Sequence, residues 1–224
     1  MYAILVATAG TVVAAIATQF EQRGLVPERP PIGVSDFNRL LELDDRVGTI
    51  NDTFLALAIL TGIAFMVWMW RAAKNNEALG RSRARFGPGW AIGGWLIPVA
   101  NLVIPVLIMQ DLWRGADPSI PRGDSRWKIG DRSLLVGFWW GLLLFGRLMI
   151  LVGNGRVDDP TTLDDLRGGI DLQIVGQLST LAAAVVGVLV IRAITARQRE
   201  CLLAQNEQWQ QLSTDAPAPP SPPS

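Results

Sequence analysis

The chain has 224 residues, half of them hydrophobic, with a formal net charge of zero, no histidine and one cysteine, Cys201. A net charge of zero gives no bulk attraction to nucleic acid. The lack of histidine excludes His-ligated haem, His-based catalytic triads and the usual Cys/His zinc sites. We therefore predict no cofactor, no metal site and no nucleic-acid partner, and we expect that the protein is not an enzyme.

Charged residues are almost absent from several long apolar segments and cluster between them. Runs of about 20 apolar residues match the ~30 Å hydrocarbon core of a bilayer, whereas helices of soluble proteins usually carry a polar face. We therefore predict an all-α fold, a polytopic membrane helical bundle. Its four transmembrane helices are expected at about residues 3–19, 53–70, 133–152 and 172–191.

The segments outside these spans are read from their composition. Residues 20–52 contain Pro27, Pro30 and Pro31, and we predict a polar loop there. Within this loop we expect a short amphipathic helix with Ser35 as its N-cap. Residues 195–212 keep a helical composition beyond the last span. We expect residues 1–213 to form a single integral membrane domain and residues 214–224 to be a disordered Pro/Ser tail.

Small residues recur at four-residue spacing within all four predicted spans, and two of these sets are on the last two spans. Gly137 and Gly141 lie in residues 133–152, and Ser179, Ala183 and Gly187 lie in residues 172–191. Small residues at this spacing let two helices approach closely in a membrane. Both sets therefore predict helix–helix contact faces.

A further apolar segment, residues 88–113, is interrupted by Pro98 and Pro105. Each proline removes a backbone donor and clashes with the preceding turn, and on one helix both would share a face with Asn101. We predict a proline-broken helical hairpin, re-entrant or interfacial, because non-helical backbone at membrane depth must be sheltered by protein or water. The alternative is a kinked but complete fifth transmembrane helix. The candidates for a ligand site or structural motif here are Trp95, Pro98, Asn101, Pro105 and Trp113.

Basic residues favour the cytoplasmic side of a membrane. Between residues 71 and 85 the chain has five basic residues and one acidic residue, Glu77. We therefore predict that this segment and both termini are cytoplasmic, in the cytoplasmic (inner) membrane of a bacterium. The basic side chains expected to contact anionic lipid headgroups are Arg71, Lys74, Arg81, Arg83 and Arg85.

Arg147 is the only formal charge well inside a predicted span. A charge at that depth is costly unless it finds a partner or snorkels to the headgroups. If the last two spans are antiparallel, Arg147 enters at nearly the same depth as Gln173 and Gln177. We therefore weigh a contact with one of these amides against snorkelling.

Four aspartates between residues 158 and 165 have two readings. Their carboxylates could hold a calcium ion. A short acidic helix capped by Thr162 explains the same pattern equally well.

Four segments resemble a bacterial membrane-protein family called domain of unknown function 4328. They are Trp70-Arg-Ala-Ala-Lys-Asn-Asn, Phe86-Gly-Pro-Gly-Trp-Ala-Ile-Gly-Gly-Trp-Leu-Ile-Pro-Val-Ala-Asn-Leu-Val-Ile-Pro, Asp111-Leu-Trp-Arg and Trp139-Trp140. The resemblance covers roughly residues 40–200. It implies a membrane protein and no assigned activity. The family pattern often has a basic residue at the position of Ile104 and an aromatic residue at that of Val106.

Two functions remain open for an integral membrane protein of unknown biochemical activity. The first is an accessory or scaffolding bundle that binds a membrane-protein partner or a second copy of itself at its cytoplasmic face. The second is a small transport or ligand-binding bundle that uses the broken element at residues 94–105, because discontinuous helices mark binding sites in transporters. An intramembrane enzyme is disfavoured because no acid–base pair lies within the spans.

Overall fold

The computed structural model describes residues 2–26, 34–81 and 84–214, and over these ranges it contains helices and no strand. The all-α prediction is therefore confirmed. Contacts divide the chain into unit 1, Met1–Trp68 with Leu134–Val190, and unit 2, Met69–Ser133 with Ile191–Ser224. The helices are α1 (Tyr2–Leu25), α2 (Val34–Ala78), α3 (Trp90–Leu96), α4 (Ile104–Gly115), α5 (Leu134–Asp158) and α6 (Leu163–Thr214), with 3-10 turns at Ala100–Leu102 and Ser125–Ile129.

Three helices in the described part of the chain are long and apolar enough to cross a membrane. They are Phe37–Ala78, Leu134–Asp158 and Leu163–Glu207, and they contain the predicted spans at residues 53–70, 133–152 and 172–191. The predicted span at residues 3–19 lies within α1. Large apolar side chains such as Leu55, Leu151 and Val185 are 58%, 70% and 59% exposed. Apolar surface of this kind fits a lipid environment.

Helices α2 and α6 are longer than the spans that the sequence indicates. Helix α2 runs without a break from Val34 to Ala78, so the separate amphipathic helix predicted in residues 20–52 is wrong. No proline interrupts the chain between Pro31 and Pro88, and the helix therefore continues until Gly80 ends it. Helix α6 likewise continues through residues 195–212 to Thr214, as the composition indicates. Residues 27–33 and 215–224 lie outside the described residues.

Thr162 caps the start of α6. Its Oγ1 accepts a hydrogen bond from the backbone N–H of Asp165 at 3.0 Å and donates one to the Asp165 carboxylate at 2.9 Å. The first hydrogen bond satisfies a backbone N–H of the first turn, as an N-cap residue does, and the second joins the capping hydroxyl to the Asp165 carboxylate. The structure thus forms the capping interaction that was weighed against a calcium site.

Helices α5 and α6 pack through glycines that are seven residues apart. A Cβ built at Gly146 would lie 2.8 Å from the carbonyl oxygen of Gly176, and one at Gly153 would lie 2.8 Å from that of Gly169. A seven-residue repeat keeps one face against the partner helix over successive turns. The backbones of α5 and α6 therefore touch at two levels.

The predicted four-residue contact faces have opposite outcomes. Built Cβ atoms at Gly137 and Gly141 meet no other described atom within 4 Å, so the prediction of a contact there is wrong. The face of α6 is confirmed, because the Ser179 hydroxyl donates to the carbonyl of Leu142 at 2.9 Å. A Cβ at Gly187 would lie 2.8 Å from Nε1 of Trp139.

The apolar segment of unit 2 is broken, as predicted. Helix α3 ends at Leu96, and Ile97 is extended (φ −96°, ψ 117°) because Pro98 disfavours the helical conformation of the residue before it. Helix α4 begins at Ile104 with Pro105 in its first turn, where no donor is needed. Pro98, Asn101 and Pro105 therefore do not share one helix face, and that expectation is wrong. A Cβ at Gly94 would lie 2.6 Å from Cγ2 of Ile104, so α3 packs directly on the start of α4.

We expect Gly176→Ala to lower the free energy of unfolding by about 1–3 kcal/mol, the usual cost of overpacking. The added methyl group would lie 2.7 Å from the carbonyl oxygen of Gly146. The measurement is unfolding of the purified protein in detergent. Gly141→Ala is the matched control and should not destabilise the protein, because no atom lies within 4 Å of its Cβ position. Equal destabilisation by both variants would contradict the glycine contact.

Candidate functional site

Arg81 lies at the centre of a polar cluster in unit 2. Its side chain is buried, with the residue 1% exposed. Nε donates to the backbone carbonyl of Gly115 at 2.9 Å and Nη1 to that of Pro121 at 2.7 Å. Nη2 donates to the backbone carbonyls of Asp117 at 3.0 Å and of Ile120 at 2.7 Å. The guanidinium group therefore caps the C-terminus of α4, where a positive charge complements the helix dipole, and fixes the turn that follows.

The end of α2 positions Arg81 through a glycine-dependent turn. The N–H of Gly80 donates to the carbonyl of Glu77 and the N–H of Arg81 to that of Asn76, both at 2.9 Å. This is the Schellman pattern, and Gly80 has the positive φ of 76° that it requires. A Cβ at Gly80 would also lie 2.7 Å from Cγ of Arg122. Residue 80 must therefore be glycine for two independent reasons.

Two buried amides connect α2 with α6 inside unit 2. Nε2 of Gln198 donates to Oδ1 of Asn76 at 2.7 Å and to the carbonyl of Ala72 at 2.8 Å. Asn76 in turn packs against α4, because a Cβ at Gly115 would lie 2.3 Å from its Nδ2. Asn76 therefore contacts both α4 and α6.

A third buried amide, Gln110, ties α4 to the residue before α5. Its Nε2 donates to the carbonyl of Ser133 at 2.9 Å, and its Oε1 accepts from the N–H of Ser133 at 2.8 Å. Both hydrogen-bonding groups of the amide are thereby satisfied. Gln110 acts here like a neighbouring peptide unit and fixes the end of the connection between α4 and α5.

The outer side of the cluster is charged. The Arg197 guanidinium group lies 4.2 Å from the ring centre of Trp113, and its Nη2 is 3.4 Å from Oδ2 of Asp117. The hydroxyl of Ser119 donates to Asp117 at 2.7 Å. This hydrogen bond, with the charges of Arg197 and Arg81, holds the pKa of the Asp117 carboxyl below its ordinary value. Asp117 is therefore ionised at neutral pH and balances part of the buried positive charge.

The space beside this cluster is small. Asn76, Arg81, Asp111 and Trp127 are among the residues around a cavity of about 30 Å³, enough for one or two water molecules. The hydrogen bonds of Arg81, Asn76 and Gln198 go to backbone carbonyls and to one another. The hydrogen-bonding groups of these three residues are thus used within the fold, and the cavity beside them is small.

The five candidates in the broken element do not form one site. Trp95 is half-buried on α3, Pro98 is exposed after α3, and Pro105 is buried in α4. Asn101 is half-buried in the 3-10 turn, and its amide forms no hydrogen bond with the described residues. Trp113 lies at the far end of α4, against Arg197.

The predicted headgroup residues separate into exposed and buried ones. Arg71, Lys74 and Arg85 are exposed, with Lys74 2.9 Å from Glu77. Arg83 lies outside the described residues. For Arg81 the prediction is wrong, because its side chain is buried and four of the five guanidinium donors bind carbonyls at the end of α4 and in the turn beyond it.

Arg147 does not contact the amides proposed for it. It is exposed and makes no hydrogen bond or ion pair with the described residues. Gln173 instead accepts from Gln19 at 2.8 Å and donates to Asn154 at 2.9 Å. Residues 147 and 177 do lie at nearly the same level of the helix pair, because the neighbouring Gly146 and Gly176 are in contact. However, successive residues of a helix point about 100° apart, so Arg147 points away from the face that carries Gly146. The contact of Arg147 with Gln173 or Gln177 is therefore not formed, and snorkelling stays a prediction.

Sequence reasoning missed Gly80, Asn76, Gln110, Gly115 and Gln198 as members of the unit 2 cluster. One usable signal was present. Ala78-Leu79-Gly80-Arg81 places a glycine directly after a run of good helix formers, which is the usual helix stop. The buried amides gave no such signal, because their partners are backbone carbonyls far away in the sequence.

These features define an all-helical protein with membrane-compatible helices. A protein-family profile described as "Domain of unknown function (DUF4328)" matches residues 35–196. This match covers more than half of the chain, which therefore belongs to the DUF4328 family. No curated protein and no solved structure matches the chain.

We expect Arg81→Lys to lower the free energy of unfolding by about 2–4 kcal/mol, because a lysine cannot serve all four carbonyls and buried unsatisfied acceptors cost about 1–3 kcal/mol each. The measurement is thermal unfolding in detergent. Arg71→Lys is the matched control at an exposed position and should change stability by less than about 0.5 kcal/mol. A neutral Arg81→Lys variant would show that the carbonyl contacts do not hold unit 2 together.

Proposed function

We propose that this protein is a multi-pass protein of the bacterial cytoplasmic membrane that acts without catalysis, as an accessory or scaffolding protein. Its broken element enters the bilayer from the cytoplasmic side and returns to that side. Its partners are the lipid bilayer and, at the cytoplasmic face, a membrane protein or a second copy of the chain. Both termini are cytoplasmic in this arrangement.

The observation that carries the proposal is the hydrogen bond between Arg81 and Gly115, 2.9 Å long. Residue 81 lies just before the broken element and residue 115 is the last residue of α4. The two ends of the segment between residues 81 and 115 are therefore in direct contact. A segment that crossed the ~30 Å hydrocarbon core would have its ends on opposite sides. The contact therefore supports the hairpin over a fifth span.

The far end of the hairpin has the surface expected of an element that inserts into lipid. No charged residue occurs between Arg85 and Asp111. Leu96, Val99 and Leu102 are 73%, 78% and 54% exposed. Transfer of this apolar surface from water into hydrocarbon is favourable. The turn also closes hydrogen bonds of its own, from Asn101 N–H to Ile97 at 2.8 Å and from Val103 N–H to Ala100 at 3.0 Å, as backbone in a bilayer requires.

The role as a scaffold rests on the use of the polar residues in unit 2. Arg81, Asn76, Gln110 and Gln198 are committed to carbonyl and amide partners. This leaves the cluster rigid and without space for a reaction. In contrast, Ile129 is 83% exposed beside Lys128. A surface that combines apolar and basic groups on a rigid support suits contact with a partner or with anionic lipid.

We expect cysteines at Ala84 and Pro118 to resist labelling by a membrane-impermeant maleimide added to intact cells, whereas a cysteine at Asp159 is labelled. The three positions are exposed, and the native thiol is removed by Cys201→Ser. Permeabilised cells provide the control that every position can react. Labelling of position 118 but not 84 from outside would show that the broken element crosses the membrane and would overturn the proposal.

A further inference from the structure

Unit 1 contains a cavity of about 350 Å³, a volume within the range of small-molecule sites. Polar side chains from three helices line it: Gln19 from α1, Asn154 from α5, and Gln173, Gln177 and Thr180 from α6. Apolar residues such as Val12, Phe54 and Ile150 form the remaining walls, and none of the described residues around the cavity is charged. It is separate from the residues 94–105 that the sequence indicated as a ligand site.

The hydrogen bonds within the cavity leave two acceptors without partners. Nε2 of Gln19 donates to Gln173 at 2.8 Å, and Nε2 of Gln173 donates to Asn154 at 2.9 Å. Gln19 is 3% exposed, and its Oε1 and that of Gln177 are buried without a hydrogen-bond donor among the described residues. Buried polar atoms in native structures nearly always have a partner. Two such acceptors beside one cavity therefore indicate that the cavity receives a hydrogen-bond donor.

The walls also restrict the charge and chemistry of the ligand. A charged ligand would lose its hydration without meeting a counter-charge, which is strongly unfavourable. A hydroxyl group can donate to the free oxygens of Gln19 and Gln177, and it can also accept from amide N–H groups. The cavity therefore suits an uncharged molecule with one or more hydroxyl groups.

The position of the cavity along the helices suggests where the ligand comes from. Arg23 and Asp171 form an ion pair 2.8 Å long at the end of α1. Gln19 lies four residues from Arg23, or about 6 Å along a helix, and Gln173 lies two residues from Asp171. In a bilayer, a site one turn inside a charged helix end lies near the boundary between headgroups and acyl chains. Lipid glycerol groups are found at that depth.

We propose that the cavity of unit 1 binds an uncharged polyol group, either the glycerol headgroup of a neutral glyceride that enters from the bilayer or a free polyol from water. This site is independent of the scaffolding role and goes beyond it. The ligand hydroxyls donate to Oε1 of Gln19 and of Gln177, while an acyl chain, where present, lies against the apolar walls.

The test measures thermal unfolding of the full-length protein in detergent micelles with three probes: 1-monooleoylglycerol, glycerol at low millimolar concentration, and methyl oleate, which has no hydroxyl group. Ligands that bind only the folded state raise Tm in a saturable manner. We expect 1-monooleoylglycerol to do so and methyl oleate to have no effect. An equal shift with glycerol alone would support the site and identify a free polyol as its ligand.

Variants then locate the effect. Gln177→Leu should weaken the apparent affinity at least about tenfold, and it should fold because it removes an acceptor that has no partner. Gln211→Leu, on the exposed part of the same helix, is the matched control and should keep the full shift. Leu55→Trp narrows the cavity from an exposed wall position and should also weaken binding, which keeps the test valid if Gln177→Leu fails to fold.

Three results would overturn the proposal. The first is the absence of a shift with both 1-monooleoylglycerol and glycerol in the wild-type protein. The second is a shift of the same size with methyl oleate, which would indicate general lipid stabilisation. The third is an unchanged affinity in both Gln177→Leu and Leu55→Trp, which would place the ligand elsewhere.

Discussion

The structure of unit 2 depends on one buried guanidinium group that joins two points of the chain 34 residues apart, Arg81 and Gly115. After α2 ends at Ala78 and Gly80 turns the chain, the Arg81 side chain binds the last carbonyl of α4 and those of the turn beyond it. Helix α4 is therefore the element to which the rest of unit 2 attaches, because Asn76 from α2 packs against it and Gln110 links it to Ser133. The segment between Arg81 and Gly115 therefore forms a hairpin. Polar contacts join its two ends, and exposed apolar residues lie near its turn. This division of polarity is what a hairpin anchored in water and inserted in lipid requires.

Two polar clusters among the described residues differ in how many of their hydrogen-bonding groups have partners. In unit 2 four of the five donors of Arg81 and both groups of Gln110 have partners, so the cluster has the properties of a structural support. In unit 1 the chain of amides from Gln19 through Gln173 to Asn154 leaves acceptors free beside a cavity. A satisfied network rigidifies, whereas an unsatisfied one is costly unless a ligand or water completes it. Gln110 of unit 2 therefore holds two parts of the chain together, whereas Gln19 and Gln177 of unit 1 each keep a side-chain oxygen that can accept a hydrogen bond from a ligand.

The sequence predicted those features that arise from local chemistry. Prolines at 98 and 105 break the apolar segment because their effect acts on adjacent residues, and Thr162 caps α6 for the same reason.

Features that depend on which face of a helix meets its neighbour were missed. Helix α5 is apolar almost all round, so its sequence did not show that Gly146 faces α6 while Arg147 does not. The burial of Arg81 was missed because charged residues are normally exposed, and its carbonyl partners lie 34–40 residues away in the sequence. The continuation of α2 through residues 34–52 was missed because polar composition there suggested a loop, whereas tertiary context decides such cases.

The central claim is that the chain between α2 and the end of α4 returns to its starting point when the protein is in a membrane. Its most direct test is the distance between two spin labels, at Ala84→Cys and Pro118→Cys in a Cys201→Ser background, measured by pulsed electron paramagnetic resonance in liposomes. The account predicts one population with a separation clearly shorter than the ~30 Å thickness of the hydrocarbon core. A dominant separation of about 30 Å or more would mean that the element crosses the bilayer, and it would contradict the account.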